Sequence, residues 1–252
     1  MPAGAKPAAV KPAAQAKASP AAKPQFGLPP QATGRAKEWK KQLAAVDADA
    51  MACRKCALCE TRTKVVFGTG EATVPLVFVG EAPGRDEDLQ GVAFVGRAGQ
   101  LLTKIIEAMG LRREDVYICN VLKCRPPNNR DPQPEEVVAC IPYLERQLEI
   151  LKPRIICSLG RHSTYALLNR KDPIGKLRGR VFLYNGIKMV PTYHPAALLR
   201  NPDLKRTVWE DVQKVRRILD DPDSIPAEAF EEVEPFRMKA ELKRRLDQDL
   251  GI

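Results

Sequence analysis

The stretch "PLVFVGEAPG", residues 75–84, decides the fold. Its apolar run is too short for a helix, is rich in strand formers and stops at a glycine, so it reads as a buried strand feeding a loop. The loop continues as "RDEDLQGVAFVG" (85–96). The segment after it, "RAGQLLTKIIEAMG" (97–110), reads as an amphipathic helix, with Leu101, Leu102, Ile105, Ile106 and Met109 on one face and Gly110 as its stop.

The same alternation then repeats. "VYICNVLK" (116–123) is a strand, and "PEEVVACIPYLERQLEILKP" (134–153) a helix that Pro142 should kink or split. "RIICSLG" (154–160) is a strand running into a helix at about 161–168. A hairpin-like basic segment leads to strand "KMVPTYHP" (188–195), and "LKRTVWEDVQKVRRIL" (204–219) closes the domain as an amphipathic helix. Strands alternating with helices imply an α/β fold, here a three-layer α/β/α sandwich around a central, mostly parallel four-stranded sheet. In such sheets ligands bind beyond the carboxyl ends of the strands. Three loops therefore converge: after Gly80, around Asn120 and at His194.

With 252 residues, 44% of them hydrophobic, the chain has material for one large α/β domain with tails. Residues 1–36 read as a disordered Ala/Pro/Lys-rich tail, 37–220 as the folded domain, and 221–252 as a C-terminal extension, partly helical. The formal charge of +10 is uneven: residues 1–37 hold six Lys or Arg and no acid. Such a tail either solubilises or tethers the domain to a polyanion such as DNA. No run approaches the roughly 18 apolar residues of a membrane span, and the opening residues lack the apolar block of a signal peptide. A cytoplasmic protein without membrane contact is expected.

Seven cysteines are an odd count in a chain with no secretory signal, which argues against a disulfide framework. Cys53-x2-Cys56-x2-Cys59 followed by Cys124 and Cys140 signals a metal. Zinc ribbons offer two close pairs, whereas Cys124 and Cys140 stand sixteen positions apart, so an iron–sulfur cluster is favoured over zinc. By spacing alone the first three ligands could be Cys53, Cys56 and Cys59. Cys119 and Cys157 lie inside strand-like runs and read as buried thiols.

The loop after Gly80 is no P-loop, because no Gly-Lys-Ser/Thr closes it, and its glycines do not give G-x-G-x-x-G. Its acids, Glu81, Asp86, Glu87 and Asp88, would repel a phosphate. A neutral, flat ligand suits it better, with Phe94 as a stacking face. Asn120 sits in an apolar strand, where an unpaired amide is costly. Its side chain offers an acceptor and a donor side by side, matching N3–H and O4 of uracil, while cytosine presents the opposite pair. Of the two histidines, His162 opens a helix and reads as structural, whereas His194 ends a strand at the ligand edge. Three basic segments surround that edge: "LKCRPPNNR" (122–130), "NRKDPIGKLRGR" (169–180) and Arg200. Gly/Pro-rich basic loops beside a pocket fit phosphate contacts that position a strand.

Together these motifs resemble the family 4 uracil-DNA glycosylases, the iron–sulfur branch of that superfamily. The likeness spans about residues 50–220 and rests on "GEAPG" with "FVGRAG", on "NVLKCRPPNNR", on "GKLRGR" and on "HPAALLRNP". It implies a DNA repair enzyme that excises uracil by hydrolysing the N-glycosidic bond of a flipped-out nucleotide. Uracil-containing DNA is the expected partner, with a monomer working in the cytoplasm at the nucleoid. The ligands implied for a [4Fe-4S] cluster are Cys53, Cys56, Cys124 and Cys140, with Cys59 outside it. Glu81, Ala82 and Pro83 would line the uracil site, Phe94 stack on the base, Asn120 read it and His194 face its O2. Family 1 relatives place an aspartate where this chain has Ala82, which leaves Glu81 as the first candidate for the catalytic carboxylate and Glu87 as the second. DNA would lie along Arg125, Arg130, Lys176, Arg178 and Arg200, with Leu198 or Leu199, projecting from a turn, filling the gap left by the flipped nucleotide. Two other readings are an iron–sulfur electron carrier and an iron–sulfur DNA-binding protein that captures uracil-DNA without turnover. The latter would use a histidine in the loop after the second strand, where "CRPPNNRDPQPEE" (124–136) has none.

Overall fold

The apolar run after Pro75 forms strand β1 (Leu76–Gly80), buried along its whole length. In the computed structural model, which describes residues 32–71, 73–226 and 229–233, β1 lies between β2 (Tyr117–Asn120) and β3 (Ile155–Leu159), and β3 pairs with β5 (Ile187–Thr192). All three pairings are parallel. These are the four strands expected from sequence. Two more extend the sheet to six, in the order β2-β1-β3-β5-β4-β6.

The first addition is β4 (Val181–Tyr184), antiparallel to β5. Asn185 and Gly186 join the pair, both at positive φ (49° and 76°), the backbone of a tight hairpin turn. The basic segment before β5 thus ends in a true strand. The second is β6 (Phe230–Val233), parallel to β4, so part of the expected C-terminal extension belongs to the sheet. Of the expected tail 1–36, residues 1–31 lie outside the described residues, as do residues 234–252, while the backbone of 32–36 forms the start of a helix.

Helices cover both faces. Alternate residues of each buried strand divide between two cores: Val77, Val79, Tyr117 and Ile156 face one, while Leu76, Phe78, Ile118 and Ile155 face the other. The first core is closed by α1 (Ala32–Met51), α5 (Pro134–Leu151) and α6 (Arg161–Leu168) through Val46, Leu144, Leu148 and Leu167. The second is closed by α4 (Arg97–Ala108), α8 (Pro195–Arg200) and α9 (Leu204–Asp220) through Leu102, Ile106, Leu198 and Val212. Three short helices sit in the connections: α2 (Leu58–Thr61), α3 (Arg85–Gln90) and α7 (Ile174–Leu177). Helix α5 continues through Pro142 and is not split there. Its buried residues on both sides of the proline, from Val138 to Leu151, hold the helix against the sheet despite the missing backbone bond. Among the described residues no helix is long and apolar enough to cross a membrane.

The parallel strands bring their carboxyl ends to one edge. Gly80 is in register with Asn120, and Leu159 with Thr192. The residues that follow these ends form the site.

Candidate active site

A cleft of about 730 Å³ opens at this edge, lined by residues from the ends of all four parallel strands. On its floor lies Asn120, 1% exposed. Its side-chain Oδ1 has no hydrogen-bond partner in the protein, while its backbone carbonyl accepts from the Lys123 ammonium at 2.7 Å. Lys123 is itself buried and donates to Gln147 Oε1, whose amide donates to the Tyr117 hydroxyl and the Phe67 carbonyl, both at 3.0 Å. Asn120 is therefore fixed from behind and open in front.

Gly80 makes room beside it. A Cβ there would lie 2.3 Å from Asn120 Oδ1 and 2.6 Å from the Phe94 ring. Phe94 takes φ = 53°, a left-handed conformation in which a bulky residue is a genuine outlier. Two contacts impose it. Arg113 donates to the Ala93 and Phe94 carbonyls at 2.7 and 3.0 Å, and Gly99 lies so close that a Cβ would meet the Phe94 carbonyl oxygen at 1.9 Å.

The acids of the loop after β1 separate into different tasks. Glu87 accepts from the backbone N–H of Gly84 (3.1 Å), Val95 (2.9 Å) and Gly96 (2.8 Å), tying the start of α3 to the Phe94 loop. Asp88, buried, accepts from Thr63 N at 2.9 Å. Glu81 faces the cleft with Ala82 and Pro83 beside it. Burial, helped by the Asp131 carboxylate and opposed by the Arg161 guanidinium, pushes the Glu81 carboxyl up to about 7. His162 Nε2 lies 4.0 Å from Glu81 Oε2 and 3.3 Å from Asp131 Oδ1.

His194 caps α8: its Nδ1 accepts from Ala196 N at 3.1 Å, with Pro195 as the first helical residue. The ring proton is thereby assigned to Nε2. Burial, with the Arg200 guanidinium nearby, lowers its pKa to about 4, so the imidazole is neutral at neutral pH. Its ring centroid stands 5.6 Å from that of Phe94, tilted by 32°.

The expected basic rim is only partly free. Lys176 and Arg200 are exposed, and Arg125 donates to Asn129 Oδ1 at 2.8 Å, within its own loop. Arg130 is instead paired with Glu136 at 2.5 Å, which ties the loop to the first turn of α5. Arg178 is paired with Asp211, a carboxylate 1% exposed that also accepts from Thr192 at 2.7 Å. These two arginines hold loops in place. Leu198 is likewise a core residue, 2% exposed, because "PAALLR" forms helix α8 rather than a turn; Leu199, 41% exposed, is the one that projects.

The cysteines form a second site. Cys53, Cys56, Cys59, Cys124 and Cys140 surround one small cavity, with Arg62 and Tyr143. None is in a disulfide. Arg62 donates to Cys124 Sγ and the backbone N–H of Lys123 to Cys140 Sγ, each at 3.2 Å. Burial pushes the Cys56 and Cys140 thiols up to about 11 and about 12. Cys119 and Cys157 are fully buried in β2 and β3, as expected.

Sequence reasoning missed Asp131, Arg161 and His162. The signal was there: "RIICSLG" is a fourth parallel strand, so the residues after it, Arg161 and His162, had to arrive at the same edge.

The family model of the uracil DNA glycosylase superfamily matches residues 67–213. The type-4 uracil-DNA glycosylase of Saccharolobus solfataricus is 51% identical over 176 residues, covering 66% of this chain and 82% of that protein. Its namesake from Archaeoglobus fulgidus is 50% identical over 173 residues, covering 66% and 87%. That of Thermotoga maritima is 48% identical over 171 residues, covering 66% and 89%.

Proposed function

Because this chain belongs to the type-4 uracil-DNA glycosylases, within the uracil DNA glycosylase superfamily, we propose how its cleft hydrolyses the N-glycosidic bond of deoxyuridine in DNA. The observation that carries the reading is Asn120 Oδ1, an acceptor buried without a partner at the floor of the cleft. Leaving such an atom unpaired costs about 1–3 kcal/mol, and the N3–H of a uracil flipped into the cleft offsets it. The amide N–H then donates to O4. Cytosine presents an acceptor at N3 and a donor at C4, so the same amide rejects it by about 1–3 kcal/mol.

Phe94, held rigid by its backbone contacts, stacks on the base. Neutral His194 donates from Nε2 to O2. As the bond from N1 to C1′ breaks, its electron pair leaves with uracil and negative charge grows on O2, so this hydrogen bond strengthens in the transition state. Glu81, which unlike Glu87 is not spent on backbone N–H groups, orients and deprotonates the water that adds to C1′. Glu87 positions the loop. Lys176, Arg200 and Arg125 hold phosphates, and Leu199 fills the gap in the stack. Unstacking costs a few kcal/mol, least for a mispaired base.

The second site fits an iron–sulfur cluster by its donors: several thiols around one cavity, with N–H groups aimed at two sulfurs. Cys53, Cys56, Cys124 and Cys140 would hold a [4Fe-4S] cluster. Bound there, it cross-links the segment before β1 to the start of α5 and takes no part in the bond cleavage.

The test is incubation of the full chain with an oligonucleotide carrying one uracil. Free uracil and an alkali-labile abasic site are expected, with repeated turnover and no redox partner. A denaturant-stable protein–DNA adduct without free uracil would favour capture and overturn the hydrolytic reading.

A further inference from the structure

Three elements bring ionisable groups to one corner of the cleft. Glu81 follows β1, Asp131 lies in the loop between β2 and α5, and His162 sits in the first turn of α6. One ligand atom from each, Glu81 and Asp131 carboxylate oxygens and a His162 ring nitrogen, lies within 4.8 Å of the other two. Arg161 completes the group: its Nη2 pairs with Asp131 Oδ2 at 2.6 Å, and its Nε–H donates to His162 Nε2 at 2.8 Å.

We propose that Asp131, Arg161 and His162 are positioning residues that set the charge of Glu81, and so decide at what acidity the enzyme can activate water. The inference rests on the reading of Glu81 as the water-activating carboxylate. Its physics is local. Burial is the main cause that raises the Glu81 carboxyl to about 7; Asp131 adds to it by opposing a second negative charge, and Arg161 works against it. His162 has two states. Neutral, its Nε2 accepts from Arg161; protonated, the same nitrogen becomes a donor facing both carboxylates. A single proton shared between Glu81 and His162 therefore has a form in which it rests on the imidazole and Glu81 is ionised. Burial keeps that form from dominating by lowering the His162 pKa, against the pull of Asp131.

The other charged groups of the cleft are engaged elsewhere. Glu87 is spent on three backbone N–H groups, Arg130 on Glu136, and His194 Nδ1 on Ala196. Arg200 acts on His194. Asp131 and Arg161 are 64% and 54% exposed, so replacing them leaves the core intact.

The experiment is the pH profile of single-turnover uracil release for wild type, Asp131→Asn, Arg161→Gln and His162→Gln, with Glu81→Gln as reference. The wild-type rate should rise with pH through about 7, as Glu81 ionises. Asp131→Asn should move that limb to lower pH and Arg161→Gln to higher pH, while His162→Gln, which replaces an imidazole that burial keeps from charging, should move it upward by less. A unit charge 4.8 Å away in a water-like dielectric shifts a midpoint by roughly 0.6 pH unit, and more in a drier site. Opposite shifts for Asp131 and Arg161 support the proposal, since a purely structural role changes the plateau and leaves the midpoint alone. Superimposed profiles for all three variants, with Glu81→Gln inactive, overturn it while sparing the role of Glu81. A Glu81→Gln enzyme that cleaves at the wild-type rate overturns the reading of Glu81 itself.

Discussion

His194 divides its ring between two jobs, and substitution can separate them. Nδ1 caps α8 by accepting from Ala196 N at 3.1 Å, and Nε2–H is left for the departing base. Removing a donor aimed at developing negative charge costs about 2.7–4 kcal/mol, or roughly 10²–10³ in rate. Losing an N-cap costs about 1 kcal/mol of stability, which for a domain of this size lowers Tm by about 2–4 °C. His194→Ala loses both. His194→Asn keeps a good capping acceptor but ends short of Nε2, so it should melt like wild type and cleave as slowly as His194→Ala. The assay pairs thermal melting with single-turnover cleavage of a uracil oligonucleotide and equilibrium binding to an uncleavable deoxyuridine analogue, which both variants should retain. Because the imidazole pKa lies near 4, the ring is neutral at about pH 6 and about pH 8 alike, and the rate loss should be the same factor at both. A His194→Asn enzyme within about threefold of wild type, a difference of roughly 0.7 kcal/mol, would refute the electrostatic role and leave His194 a helix cap.

Two further outcomes are expected. Arg178→Ala strands the Asp211 carboxylate in the core, a loss of about 3–5 kcal/mol, so Tm should fall by roughly 6–20 °C while the salt dependence of DNA binding holds; an unchanged Tm with weaker DNA binding would return Arg178 to the phosphate rim. Cys124→Ala should lose the visible absorbance of the anaerobically purified protein and much of its solubility, whereas Cys59→Ala should keep both; the reverse pattern would place Cys59 among the ligands.

Periodicity and strand formers exposed the four parallel strands, because a strand buried on both faces reads as an unbroken apolar run. They hid β4 and β6. "VFLY" is embedded in a basic segment, and "FEEV" carries two acids, of which Glu231 gains its partners, Arg170 and Arg180, only in the folded sheet. At the site, residue type together with position at a strand end was enough to bring Asn120 and His194 to the cleft. It failed where one type serves two ends. An arginine on a phosphate and one neutralising a buried acid look alike in sequence, and only the tertiary positions of Glu136 and Asp211 distinguish them. The same limit applies to Leu198 and Leu199, adjacent and identical, one in the core and one in solvent.

The sixth strand has a bearing on how the molecule avoids its own copies. Without β6, the hairpin strand β4 would end the sheet, offering a row of open backbone donors and acceptors flanked by Val181 and Phe182. A second chain could pair there and begin a fibre-like stack. Phe230–Val233 occupies that row in parallel register and, among the described residues, puts Glu231 and Glu232 at the sheet's edge in place of Val181 and Phe182. Charged side chains make such an edge a poorer template for another strand. A chain cut before Phe230 should therefore associate with its own copies more readily than the full chain even with its cleft whole, a difference that light scattering of the two lengths would show.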